Sequence, residues 1–338
     1  MVTNYLYIAF EVCFRRKMVL AFFKQLALAN PLVFYSIICV VSLLVVLRAA
    51  DLALYGISNY AKKLGVSQYL IGFLVVSVGT SLPELVAAIT GAVQKQTALI
   101  MGTILGSNIS DLTLILGVLV IVGKTIKLEE PVVGKTFFRT VLLVLLPLVL
   151  VLDGRLSRLD GFVLVSGFIA YIASLWIKEG KLGKMKKSVK LRHIWRDGAV
   201  FVGCIIALLL GARWLILSAS SIASIVGISP YVVGLTLVAL GTSLPELTVE
   251  IRSVLKGLSS LAFGDLIGSV IANSTLVLGL VAIISPFVID PLTIVFASAV
   301  MVFSLFLGLY FMSKRFINWK QGVVLVAVYV VFFVCQFV

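Results

Sequence analysis

The chain has 338 residues, 61% of them hydrophobic and 12% charged, with a mean hydropathy of +1.19 and a net charge of +14. A soluble domain carries about 25% charged residues, so the composition excludes one; apolar runs along the whole length exclude a lone anchor, and their length excludes the short alternating segments of a barrel. The positive charge lies mostly in short loops between those runs, which marks membrane topology and excludes a nucleic-acid partner.

Apolar runs bounded by charge, Gly and Pro place ten helical spans near 31–59, 68–93, 98–123, 136–152, 160–177, 198–224, 230–256, 261–285, 291–312 and 320–338. Residues 1–30 come before them. There Leu6–Phe14 is too short to cross, and Arg15, Arg16, Lys17 and Lys24 fall on the outer side, against the charge rule. Either this is a surface amphipathic or processed segment, or translation starts at Met18, the favoured alternative. The first span is long enough to tilt and carries Arg48 and Asp51 at i,i+3 spacing, placed to pair.

The second span holds Gly79-Thr80-Ser81-Leu82-Pro83-Glu84. Proline removes a donor and frees the carbonyl four residues earlier, and Gly-Thr-Ser is a poor helix former. The helix is therefore expected to break beside Glu84, setting carbonyls next to a carboxylate and two hydroxyls. Irregular backbone at membrane depth is tolerated only in a cavity or buried in protein, and an intramembrane ionisable group marks an ion or substrate path. All these groups are oxygens, the ligands of hard cations such as calcium. The third span adds Gly106-Ser107-Asn108-Ile109-Ser110-Asp111, with Ser107 and Asp111 on one helix face. Gly102 and Gly106 read as a small-residue packing surface.

Between the fourth and fifth spans, Arg155 and Arg158 are offset by Asp153 and Asp160. The fifth and sixth spans are joined by Lys178–Arg196, rich in Lys and Arg, which places the 178–197 hinge in the cytoplasm. Alternation then puts Lys62 and Lys63, the Lys124–Arg139 loop, Arg252 and Lys256, and Lys314, Arg315 and Lys320 inside, with both termini outside. The lone His193 lies in the hinge, so no span offers a histidine for metal binding or proton relay.

The sixth span is long, like the first, and its Arg213 has no obvious partner. The seventh repeats the hexapeptide as Gly241-Thr242-Ser243-Leu244-Pro245-Glu246, an offset of 162 (241 − 79), and the same offset carries the third-span motif onto Gly268-Ser269-Val270-Ile271-Ala272-Asn273. Gly264 and Gly268 repeat the small-residue pair. Two five-span halves, 31–177 and 198–338, must enter the membrane from opposite sides, so the fold class is an all-α polytopic membrane protein built as an inverted repeat with broken second and seventh helices. Glu250, one turn beyond Glu246, reads as a solvated partner of Arg252 or Lys256, or else as a ligand on the approach to the site. Asp265 reads as an acidic residue opening the eighth span, favourable to the helix dipole. Cys13, Cys39, Cys204 and Cys335 show no CxxC spacing and read as buried apolar thiols.

These paired motifs resemble the two repeats of the sodium/calcium exchanger family, within the calcium/cation antiporter superfamily, over both repeat cores. The resemblance implies four central cation sites lined by Thr80, Ser81, Glu84, Ser107 and Asp111, then Thr242, Ser243, Glu246, Ser269 and Asn273, joined by backbone oxygens of Ser77 and Ala239. The prokaryotic pattern has Asn in the first repeat and Asp in the second; here Asp111 and Asn273 are exchanged, which moves one charge across the pseudo-twofold axis. Val270 replaces the Asn that would match Asn108.

Three carboxylates hold one Ca²⁺ or several Na⁺ but not both, as an antiporter requires. The expectation is a sodium/calcium antiporter working by alternating access, with the first and sixth spans sliding as gates. Its partners are calcium, sodium and the lipid bilayer, with no cofactor; it is no enzyme, its functional unit is a monomer, and it resides in the plasma membrane. A proton/calcium exchanger is the nearest alternative, because a desolvated glutamate carries protons. A passive channel is the next, though its pore would more naturally use rings of ligands in an oligomer.

Overall fold

The computed structural model describes residues 29–64, 76–93, 95, 97–128, 137–179, 194–228, 230–314 and 316–337. The N-terminal segment 1–28, the side chain of Asp51, the hinge at 180–193 with His193, and Cys13 lie outside the described residues.

Helix α1 is Pro31–Leu64, and α2 covers 78–93 as Val78–Thr80 and Leu82–Val93. Helix α3 covers 97–123, α4 is Phe137–Leu150, α5 is Arg158–Glu179 and α6 is Ile194–Val226. Helix α7 covers 230–255, α8 covers 259–284, α9 is Pro291–Met312 and α10 is Trp319–Cys335. Among the described residues five stretches are long and apolar enough to cross a membrane: Ala98–Gly123, Arg158–Leu175, Tyr231–Leu255, Ser259–Ile284 and Pro291–Met312.

Helices α3 and α8 form the centre, and their side chains are buried almost without interruption from Ile100 to Ile115 and from Leu261 to Val277. Without a hydrophobic drive between helices in lipid, close packing needs small residues. A Cβ on Gly106 would lie 2.2 Å from the Leu235 carbonyl oxygen, so α3 and α7 touch backbone to backbone. Gly161 of α5 and Gly279 of α8 make the same kind of crossing, since a Cβ on either would lie within 3 Å of the other's carbonyl oxygen. The expectation that Gly102 and Gly106 serve packing is met.

Helices α1 and α6 lie along one another at the margin of this core. At 1.5 Å per residue they are about 50 Å long, well beyond a ~30 Å hydrocarbon layer. Their placed side chains are mostly exposed, with Ser42 and Ala49 buried on α1 and Cys204, Gly211 and Ser218 on α6. Cys204 is buried as expected and Cys39 half-buried. Cys335, at the end of α10, is exposed rather than buried.

Two antiparallel ribbons were not anticipated from the sequence. Strand β1 (Thr125–Lys127) pairs with β4 (Phe316–Asn318), and β2 (Arg155–Leu156) with β3 (Phe287–Val288). Each pairing requires its two loops to lie on one face of the bundle, and the alternation read from charge assigns them so. At β2, Gly154 takes φ +79°, and the Arg155 N–H and guanidinium hold the Asp153 carboxyl below its ordinary range.

Candidate cation site

The two broken helices set the first candidate ligands. Lacking an N–H, Pro83 and Pro245 leave the Gly79 and Gly241 carbonyls without their helical donor. Helix α2 turns at Ser81 (φ −78°, ψ 0°) and α7 at Ser243 (φ −81°, ψ 0°), in the sparsely allowed bridge region. The break thus falls three residues before each glutamate. The chain resumes at Leu82 and Leu244, so Glu84 and Glu246 stand in a first helical turn, where the dipole favours an anion.

Helices α3 and α8 each widen into a π-turn, at Asp111–Ile115 and Ala272–Val277. Such turns recur at functional sites. They place Asp111 and Asn273 at the point where the helix opens, one turn after Ser107 and Ser269. The Thr113 hydroxyl donates to the Ile109 carbonyl, and Thr275 donates to Ile271 at 2.5 Å, the same bond in both repeats. Asn108 Nδ2 donates to Ser274 Oγ at 2.7 Å and ties α3 to the α8 π-turn.

Every residue carried over from the family motif is buried: Ser77, Thr80, Ser81, Glu84, Ser107, Asp111, Ala239, Thr242, Ser243, Glu246, Ser269 and Asn273. No hydrogen-bond partner meets the carboxylate oxygens of Glu84, Asp111 and Glu246, the hydroxyls of Ser81, Ser107, Ser243 and Ser269, or Oδ1 of Asn273. Buried polar groups are normally satisfied, so this concentration of bare oxygens fits a place for cations.

The halves meet here. Thr242 lies beside Glu84 and Ser243 beside Asp111, while Glu246 is within electrostatic reach of Glu84 and Asp111. The contacts fall short of full hydrogen bonds, because Thr242 Oγ1 turns its proton to the Val238 and Ala239 carbonyls at 3.0 and 3.1 Å. Thr80 does likewise toward Val76 and Ser77 at 3.0 and 3.3 Å. With its proton turned to the backbone, Thr242 presents lone pairs to a cation, whereas Thr80 shares its one proton between these carbonyls and Asp265 Oδ1 at 3.3 Å. The Ser77 and Ala239 carbonyls also accept the Ser81 and Ser243 N–H groups at 2.9 and 3.0 Å, so an ion would have to share them with the helix.

Two carboxylates need a correction. Glu250 is 1% exposed, which removes its solvated reading and leaves that of a ligand on the approach, and Asp265 is fully buried inside Ser259–Ile271 rather than at its opening. Asp265 Oδ1 accepts the Thr80 hydroxyl at 3.3 Å, across the repeat boundary. The central charge is therefore five buried carboxylates rather than three. Among the described residues no three carboxyl, imidazole or thiol groups converge on one metal position.

A helical membrane bundle whose centre is lined by duplicated, oxygen-bearing helix breaks defines a cation transport protein. The family model described as "Sodium/calcium exchanger protein" matches residues 34–177 and 198–338. The chain belongs to the sodium/calcium exchanger family, whose members are cation antiporters. It is 30% identical to the sodium/calcium exchanger MaX1 of Methanosarcina acetivorans over 343 residues, covering 89% of this chain and 98% of that one. It is 34% identical to the inner membrane protein YrbG of Escherichia coli over 270 residues, covering 75% and 81%. The structure of the sodium-calcium exchanger NCX_Mj soaked with Na⁺ and Sr²⁺ superposes with a TM-score of 0.74 at 27% identity, over 89% of this chain and 97% of that one.

Proposed function

We propose that the chain exchanges Na⁺ for Ca²⁺ across the plasma membrane by alternating access, both ions competing for the oxygens of Glu84, Asp111 and Glu246 with Thr80, Ser81, Ser107, Thr242, Ser243, Ser269 and Asn273. The observation that carries this reading is the set of buried, unpartnered carboxylate and hydroxyl oxygens contributed in matching positions by both repeats. Two like unit charges about 4 Å apart repel by about 4 kcal/mol at an effective dielectric near 20. An ion-free site of several carboxylates is thus costly to close, and the change of access goes through loaded states. Hydroxyls are neutral and suit Na⁺, and they weaken the hold on Ca²⁺ enough for release.

Helices α1 and α6, long and thinly buried, are the elements suited to slide against the dense α3–α8 core. One chain holds the whole site, so the unit of transport is a monomer. The basic hinge faces the cytoplasm and both termini face outward; the loop charges support this orientation, and the two ribbons fit the alternation it assumes.

Calcium uptake into proteoliposomes tests the reading, with an outward Na⁺ gradient compared with an outward proton gradient at matched membrane potential. Uptake driven by sodium and abolished by Glu84→Gln is the expected result. Uptake driven by protons alone would assign the carboxylates to proton carriage and remove sodium from the cycle.

A further inference from the structure

Helices α7 and α8 form a hairpin around Leu258, and their segments Leu244–Leu255 and Ser259–Ile271 pack together. Glu250 stands eight residues before that turn (258 − 250) and Asp265 seven after it (265 − 258), so the two are level on neighbouring helices. Each lies four residues nearer the turn than a central ligand, Glu246 on α7 and Ser269 on α8. Both side chains are buried, and Glu250 Oε2 and Asp265 Oδ2 have no hydrogen-bond partner. Glu250 interacts electrostatically with Asp265 and less with Asp111. Asp265 Oδ1 is fixed by Thr80, itself a central ligand, which leaves Oδ2 for another partner.

The repeat does not duplicate this pair. At the equivalent places in the first half stand Ala88 (250 − 162) and Thr103 (265 − 162), and the Thr103 hydroxyl is spent on the Leu99 carbonyl at 2.8 Å. The extra carboxylates therefore serve one membrane face only. Two buried acids with bare oxygens are unfavourable without a cation or another partner.

We propose that Glu250 and Asp265 form a second, one-sided cation site that holds a divalent ion between the Lys256–Leu258 turn and the central ligands; this rests on the exchange reading above. Calcium takes 6–8 oxygens. Two carboxylates supply a few of these, so the ion keeps much of its water and binds weakly. Divalent ions one helical turn apart repel, so the outer ion moves inward only when the centre is empty, and Asp265 with Thr80 spans the step.

The test is equilibrium binding of radioactive calcium to the purified full-length chain in sodium-free detergent solution. Glu84→Gln should weaken the tight component at least tenfold and leave a weaker one. Adding Glu250→Gln should weaken that remainder at least a further tenfold, whereas adding Glu250→Asp should largely spare it. Identical binding by Glu84→Gln with and without Glu250→Gln would overturn the site, as would an absence of binding in a Glu84→Gln chain that melts like wild type. Should Glu84→Gln bind like wild type, the central assignment fails by itself. Glu250→Gln alone then decides: tenfold weaker binding sustains the outer site and unchanged binding removes it. If Glu250→Gln fails to fold, Asp265→Asn takes its place in each comparison.

Discussion

Asp111 and Asn273 occupy equivalent places 162 residues apart (273 − 111), each in the opening of a π-turn. Both are buried with bare side-chain oxygens, so the two positions differ in charge more than in surroundings. Asp111→Asn removes a carboxylate from the centre, and calcium uptake in sodium-loaded proteoliposomes should fall at least tenfold, equivalent to about 1.4 kcal/mol of transition-state stabilisation. Adding Asn273→Asp to that variant should restore most of the rate, since the charge returns at the pseudo-symmetric place. A double variant as slow as Asp111→Asn would mean that Asp111 acts through its own neighbours, Ser243 above all. At this scale the motif residues were legible because hydroxyl, proline and carboxylate recur at one spacing. Glu250 was left between two readings, because Arg252 and Lys256 nearby in sequence suggested a solvated face, while the helix turns Glu250 inward and those two outward.

The crossing of α3 over α7 depends on a missing side chain at Gly106. A methyl there would meet the Leu235 carbonyl at 2.2 Å and the Ala239 Cβ at 2.8 Å, neither able to swing aside. Overpacking of this kind costs about 1–3 kcal/mol. Gly106→Ala should therefore lower the melting temperature in detergent by several degrees and slow transport, because Ala239–Thr242 would be displaced. Gly203→Ala on α6, where a Cβ meets nothing within 4 Å, should melt at or slightly above the wild-type temperature. Equal melting of the two would show that α3 and α7 have room to part. The helix breaks were readable from Pro83 and Pro245 to within a turn. The π-turns were not, because one extra residue in a turn leaves no compositional trace beyond Thr113 and Thr275. The ribbons were hidden too, since two or three residues in a loop carry no alternation that periodicity can detect.

For the whole molecule, the proposed exchange cycle makes a site costly to close empty, and exchange is then obligatory. Radioactive calcium taken up against internal sodium or calcium should fall by more than about tenfold when the vesicle interior holds only a large organic cation, the loss of one loaded return path being worth at least 1.4 kcal/mol. Uptake that persists there at matched potential would make the chain a channel. The two ribbons carry a separate consequence, for how the chain is made. Thr125 finds its partner Asn318 after 193 further residues (318 − 125), and Arg155 finds Val288 after 133 (288 − 155). Contacts so distant in sequence form late. During synthesis, then, the first half waits in the bilayer with its Asp111 and Glu84 already inserted and no second half to face them, and both loop seams close only as the last helices arrive.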